Sequence, residues 1–147
     1  MRLVTRAWLP GQPEALWSLL TDWERQASWM PDVAWVRVLG PERGLGAWLE
    51  VRTRVIGLPF LTDRLRVTAW DPPRRLAVRH EGVVRGSGEW LLEPLTHGTR
   101  LTWTEDLHLP GPLDALLRWY RPVLLATFRR SLRALARLAA QPPASPG

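Results

Sequence analysis

Leu61-Thr62-Asp63-Arg64-Leu65-Arg66-Val67-Thr68-Ala69-Trp70, then Asp71-Pro72-Pro73, then Arg75-Leu76-Ala77-Val78-Arg79-His80-Glu81 is the stretch that decides the fold. Leu65, Val67 and Ala69 alternate with Arg64, Arg66 and Thr68, and Leu76 and Val78 alternate with Ala77 and Arg79. Side chains two apart share one face of a strand, so each run reads as a strand with one apolar side and one wet side. Asp-Pro-Pro cannot continue a hydrogen-bonded ladder and reads as the turn between them. The unit is an antiparallel strand pair covered on one face only.

The same unit recurs in both directions. Upstream, Val33 to Leu39 ends at Gly40-Pro41-Glu42-Arg43-Gly44, and Ala47 to Ile56 ends at Gly57-Leu58-Pro59. Downstream, Ser87 to Glu93 and Thr99 to His108 are joined through Thr96-His97-Gly98. Leu49, Val51, Thr53 and Val55 oppose Glu50, Arg52 and Arg54, while Leu101, Trp103 and Leu107 oppose Arg100, Thr102 and Thr104. Trp35, Trp48 and Trp70 fall on the polar side. With Leu3 to Leu9 as a first strand closed by Pro10-Gly11, seven strands are predicted in an antiparallel sheet.

Two helical stretches interrupt or follow this series. Pro13 suits the first position of a short helix whose apolar face is Leu16, Trp17, Leu19 and Leu20. Thr21-Asp22-Trp23-Glu24 has the form of a capping box, predicting a second short helix that ends before Pro31. The last helix is predicted from Pro112, with Leu113, Leu116, Leu117, Tyr120, Leu124, Phe128, Leu135 and Leu138 on one side. Arg118, Arg129, Arg133 and Arg137 fall on the other, and Pro122 is expected to bend the helix without ending it. Three prolines within Gln141 to Gly147 predict a disordered tail, leaving residues 1–140 as one expected ligand-binding domain.

Composition narrows the chemistry. At 147 residues the chain suits one domain around one core. Cysteine is absent, which excludes disulfides and thiolate chemistry. No stretch approaches the roughly 20 apolar residues of a membrane span, and Met1 to Pro10 is too short in apolar run for a secretory leader, so cytoplasmic residence is the default expectation. The net charge of +6 is carried without lysine. The arginines are interleaved with Glu50, Glu81, Glu89, Glu93 and Asp106, the pattern of a solvated mixed-charge face more than of a phosphate track, so nucleic acid is not expected as a partner. His80, His97 and His108 lack metal-ligand spacing, and no metal or cofactor is expected. Gly86-Ser87-Gly88 lacks the spacing of a nucleophile elbow, and Gly82, Gly86 and Gly88 are not followed by the Lys-Ser/Thr of a phosphate loop.

Several segments together carry a resemblance: Ala7-Trp8-Leu9-Pro10 leading into Pro13-Glu14-Ala15-Leu16-Trp17, Leu20-Thr21-Asp22-Trp23-Glu24, and Trp29-Met30-Pro31-Asp32-Val33. Farther on come Trp70-Asp71-Pro72-Pro73-Arg74-Arg75-Leu76, Trp90-Leu91-Leu92-Glu93-Pro94 and Gly98-Thr99-Arg100-Leu101-Thr102. In their order the chain resembles the START/polyketide cyclase-like helix-grip superfamily, in its bacterial polyketide cyclase/dehydrase and lipid-transport branch. The resemblance implies an α+β fold, a curved antiparallel sheet around a long C-terminal helix. It also implies a hydrophobic or amphipathic small-molecule ligand. It carries no catalytic set, because members of that superfamily include enzymes, carriers and receptors.

If the apolar parity faces an internal cavity, its expected walls are Leu49, Val51, Leu65, Val67, Leu76, Val78, Trp90, Leu101, Trp103, Leu124 and Phe128. Three ionisable residues share that parity: Asp63, His80 and Glu105. His80 with Glu105 or Asp63 is a candidate acid–base pair for proton transfer beside a carbonyl. Against this, His80 also suits a satisfied rim position, and Asp63 an arginine salt bridge. Tyr120, Thr127 and Ser131 either face the same space or serve helix packing. Tyr120 is counted with the expected ligand-site residues, and Glu105 and Tyr120 are the first polar groups expected to orient the ligand. The first expectation is binding or transport of a lipid, isoprenoid, quinone or polyketide. A cyclase/dehydratase-type enzyme and a protein-interaction module using the Arg-rich sheet face remain as alternatives, as does a homodimer packed through Trp35, Trp48 or Trp70.

Overall fold

The computed structural model describes residues 1–55 and 58–142. The chain runs β1 (Arg2–Leu9), α1 (Pro13–Leu20), a 3-10 helix (Trp23–Ser28), β2 (Val33–Leu39), β3 (Trp48–Val55), β4 (Leu58–Asp71), β5 (Arg75–Glu81), β6 (Arg85–Leu95) and β7 (Gly98–His108). A 3-10 turn (Gly111–Leu113) then leads into α2 (Asp114–Ala140). The strands form one antiparallel sheet in the order β1-β7-β6-β5-β4-β3-β2. This is the expected α+β helix-grip arrangement, an open meander with β1 added beside β7. The end of the third expected strand at Ile56, its turn at Gly57, and residues 143–147 of the expected tail lie outside the described residues.

The Thr21 capping box does not form. Thr21 closes α1 instead, its Oγ1 donating to the Trp17 carbonyl at 2.7 Å. Glu24, the other half of the expected box, is claimed by Arg43 through a bidentate pair of 2.8 and 2.7 Å. That hydrogen-bonded guanidinium holds the Glu24 pKa down at about 2. The following helix consequently winds as a 3-10 segment with no side-chain cap.

Trp70 also departs from the expected parity. A register shift between Val67 and Ala69 in the β4–β5 pairing moves it to the inner face, opposite Leu76. There it meets Trp17 edge-on at 5.0 Å and Trp23 at 6.4 Å. Trp35 and Trp48 stay on the outer face, lying under the guanidinium groups of Arg37 and Arg66.

The grip of α2 is uneven along its length. Phe128, Ser131, Leu132 and Leu135 are buried, whereas in the first half only Leu117 is. Ser131 tolerates complete burial because its hydroxyl donates to the Thr127 carbonyl at 2.9 Å. The expected core positions Leu113 and Leu116 are exposed, along with Trp119 and Val123. The second half of the helix closes on the sheet and the first half stands away from it, which leaves the interior hollow at one end.

Candidate functional site

That hollow is a cavity of about 700 Å³. The sheet contributes Val51 from β3, Leu65 from β4, Leu76 and Val78 from β5, Trp90 from β6, and Trp103 and Leu107 from β7. From α2 come Leu117, Tyr120, Leu124, Thr127 and Phe128, and Trp103 stacks on Phe128 at 4.3 Å. Val83, Leu116 and Trp119 border the cavity yet are 53%, 56% and 86% exposed, so they form its mouth.

Twelve of the fifteen residues expected at the ligand site border this space: Val51, Asp63, Leu65, Leu76, Val78, His80, Trp90, Trp103, Glu105, Tyr120, Leu124 and Phe128. Leu49, Val67 and Leu101 do not. They have the right parity but are sealed in the packed core. Parity places a side chain on a face and says nothing about how far along the strand the covering helix lifts away.

The polar centre is built on a gap. His80 on β5 and Glu105 on β7 are separated by β6, so their backbones lie about 10 Å apart. Register places Gly86 opposite His80 and Gly88 opposite Glu105. With no side chain at Gly88 on the middle strand, imidazole and carboxylate meet across it, Nε2 to Oε2 at 2.9 Å. A Cβ on Gly88 would stand 2.6 Å from Glu105 Oε1. The indole N–H of Trp103 donates to that same oxygen at 2.8 Å. Both oxygens of a buried carboxylate are thereby satisfied. Because a carboxylate only accepts, the neutral ring carries its proton on Nε2 and leaves Nδ1 as the basic nitrogen.

Asp63 takes a different part. Its Oδ1 accepts the Val83 N–H at 2.7 Å and its Oδ2 the Val84 N–H at 3.3 Å. Its bonds among the described residues go to these two backbone amides. It anchors the β5–β6 turn, so the acid–base candidates reduce to His80 and Glu105. Thr127 donates back to the Val123 carbonyl at 2.9 Å, a bond within the helix.

Asp32, between the 3-10 helix and β2, was not among the expected site residues. It borders the cavity, and burial raises its pKa above the ordinary carboxylate value. The nearby Glu105 adds to that shift, while its own backbone N–H and Arg54 oppose it. It follows Pro31 in a connecting segment, where strand alternation carries no signal.

The outer face of the sheet carries its own counter-ions. Arg75–Glu89 (2.7 Å), Arg79–Glu81 (3.6 Å) and Arg100–Glu93 (3.7 Å) pair on it. Such exposed pairs contribute about 0–1 kcal/mol each and mainly neutralise the surface. No helix among the described residues is long and apolar enough to cross a membrane.

Known proteins match this arrangement. An uncharacterized protein of Mycobacterium tuberculosis strain H37Rv is 32% identical over 133 residues, covering 85% of this chain and 76% of that protein. The crystal structure of the Zhui aromatase/cyclase from Streptomyces sp. R1128 superposes with a TM-score of 0.81 at 20% identity, over 95% of this chain and 93% of the other. The crystal structure of TTHA0849 from Thermus thermophilus gives 0.79 at 23% identity, over 97% and 100%. These two share the fold. The family described as polyketide cyclase/dehydrase and lipid transport matches residues 2–140, and the chain belongs to it.

Proposed function

We propose that this protein binds a hydrophobic or amphipathic small molecule, of the lipid, isoprenoid, quinone or polyketide kind, between α2 and the sheet. The observation that carries this reading is the hollow itself: about 700 Å³ with predominantly apolar and aromatic walls and an open mouth. Its size falls within the roughly 300–1,000 Å³ of small-molecule sites. Removing apolar ligand surface from water contributes about 25 cal/mol per Å². Native mass spectrometry of freshly purified protein tests the reading. A co-purifying lipophile, or a thermal shift with one of these classes, is expected. An apo mass with no shift from any of them would sink it.

The His80–Glu105 pair supports a second reading, a cyclase/dehydratase. With Glu105 holding Nε2–H, His80 Nδ1 accepts a proton from a carbon beside a ligand carbonyl. The resulting enolate carbon attacks a second carbonyl, forming the C–C bond that closes the ring, and the alkoxide takes the proton from Nδ1. Nδ1 then removes a second proton from the same carbon and passes it to the departing hydroxyl, which leaves as water with a C=C bond behind it. Glu105→Gln keeps the side-chain volume and removes the charge that orients the imidazole. Turnover of a poly-β-carbonyl substrate should fall about 100-fold or more with the melting temperature nearly unchanged. Retained turnover would remove Glu105 from the chemistry.

A further inference from the structure

Most polar groups on the cavity wall already have partners. Glu105 is bonded to His80 and Trp103, and Asp63 to two backbone amides. Gln26 donates to the Leu20 carbonyl and Trp23 to that of Arg43. Asp32 differs: its Oδ1 is buried with no hydrogen-bond partner among the described residues. A buried polar atom left unmade costs about 1–3 kcal/mol, and such exceptions call for an explanation.

The backbone that carries that carboxyl is held in place. The Arg54 backbone N–H donates to the Asp32 carbonyl at 2.6 Å. The Arg54 guanidinium donates to the carbonyls of Pro31 and Val33, each at 3.3 Å. Three bonds therefore clamp the Pro31–Val33 segment, and the guanidinium is engaged with carbonyl oxygens on either side of the aspartate.

We infer that Asp32 is the polar anchor of the cavity's ligand, and that this ligand presents a neutral hydroxyl, a phenol or an enol, in place of an anionic head group. The inference rests on the binding role proposed above. Burial and the neighbouring Glu105 both favour the neutral acid, which donates and accepts like the hydroxyl it would meet. A carboxylate or phosphate group would approach the Glu105 carboxylate, while the His80 imidazole is already bonded to Glu105 and the Arg54 guanidinium to the Pro31 and Val33 carbonyls.

Isothermal titration calorimetry with naphthol, methoxynaphthalene and naphthoate of matched ring position tests this. The wild-type protein should bind naphthol about tenfold more tightly than methoxynaphthalene, the worth of one good hydrogen bond, and naphthoate most weakly. Asp32→Ala should erase the naphthol margin while leaving methoxynaphthalene affinity in place. Asp32→Asn, which still donates and accepts, should keep most of it. A margin that survives Asp32→Ala, or naphthoate binding as tightly as naphthol to the wild type, would overturn the anchor. Methoxynaphthalene bound with no preference for naphthol rejects the anchor alone, whereas no binding of any of the three rejects the cavity reading and the anchor with it. The comparison of naphthol with naphthoate needs only the wild-type protein, so the test stands even where a variant fails to fold.

Discussion

Burial and the nearby Glu105 raise the Asp32 pKa in the folded chain, and the sign of this shift has a measurable effect on stability. Below the ordinary aspartate value of about 3.9 the group is protonated both folded and unfolded, and it contributes no difference. As pH rises, the unfolded chain releases its proton first while the folded chain retains it, so stability falls. Asp32→Asn has no proton to lose. Its melting temperature should exceed that of the wild type at neutral pH, and the gap should close as pH falls toward about 4. A gap independent of pH, or a wild type that melts higher at neutral pH, would contradict the burial assigned to Asp32. Individual residues were unequally legible in the sequence. His80 and Glu105 could be found because they interrupt an apolar parity. Gly88 could not, because the role of a glycine as a gap between two flanking strands depends on register, which the residues of one strand do not reveal. Asp32 lies in a connection with no period at all.

Among the elements, β4 shows where pattern reading breaks. Its alternation is regular through Val67, and one extra residue between Val67 and Ala69 then exchanges the two faces. A bulge has no strong sequence mark, so the parity expectation carries Trp70 to the wrong side. A single substitution distinguishes the two placements. Packed on Trp17 and Trp23, Trp70 should cost about 3 kcal/mol of stability when changed to alanine, measured by chemical denaturation. On the outer face the same change would cost about 0.5 kcal/mol or less, so a loss that small would return Trp70 to the surface. In α2 the helical period correctly identified Leu117, Phe128 and Leu135 but also marked Leu113 and Leu116, which are exposed. Periodicity reports which face a helix turns inward; whether anything meets that face depends on the distance to the sheet, a tertiary quantity.

At the scale of the molecule, strand number, order and antiparallel sense were legible because turn residues punctuate an otherwise regular alternation. A hollow was expected from the order of strands and terminal helix, but its size was not, since that is a difference between two surfaces that no local pattern encodes. Inside it the aromatic rings form a continuous series: Trp29 to Trp90 at 5.9 Å, Trp90 to Trp103 at 5.8 Å, and Trp103 to Phe128 at 4.3 Å. Trp29 is buried behind the wall, while Trp90 and Trp103 border the open space. Indoles this close pass electronic excitation between them by dipole coupling. Light absorbed by Trp29 therefore reaches the ring that a guest would touch, and an occupant able to accept that energy would dim emission from a tryptophan it never contacts.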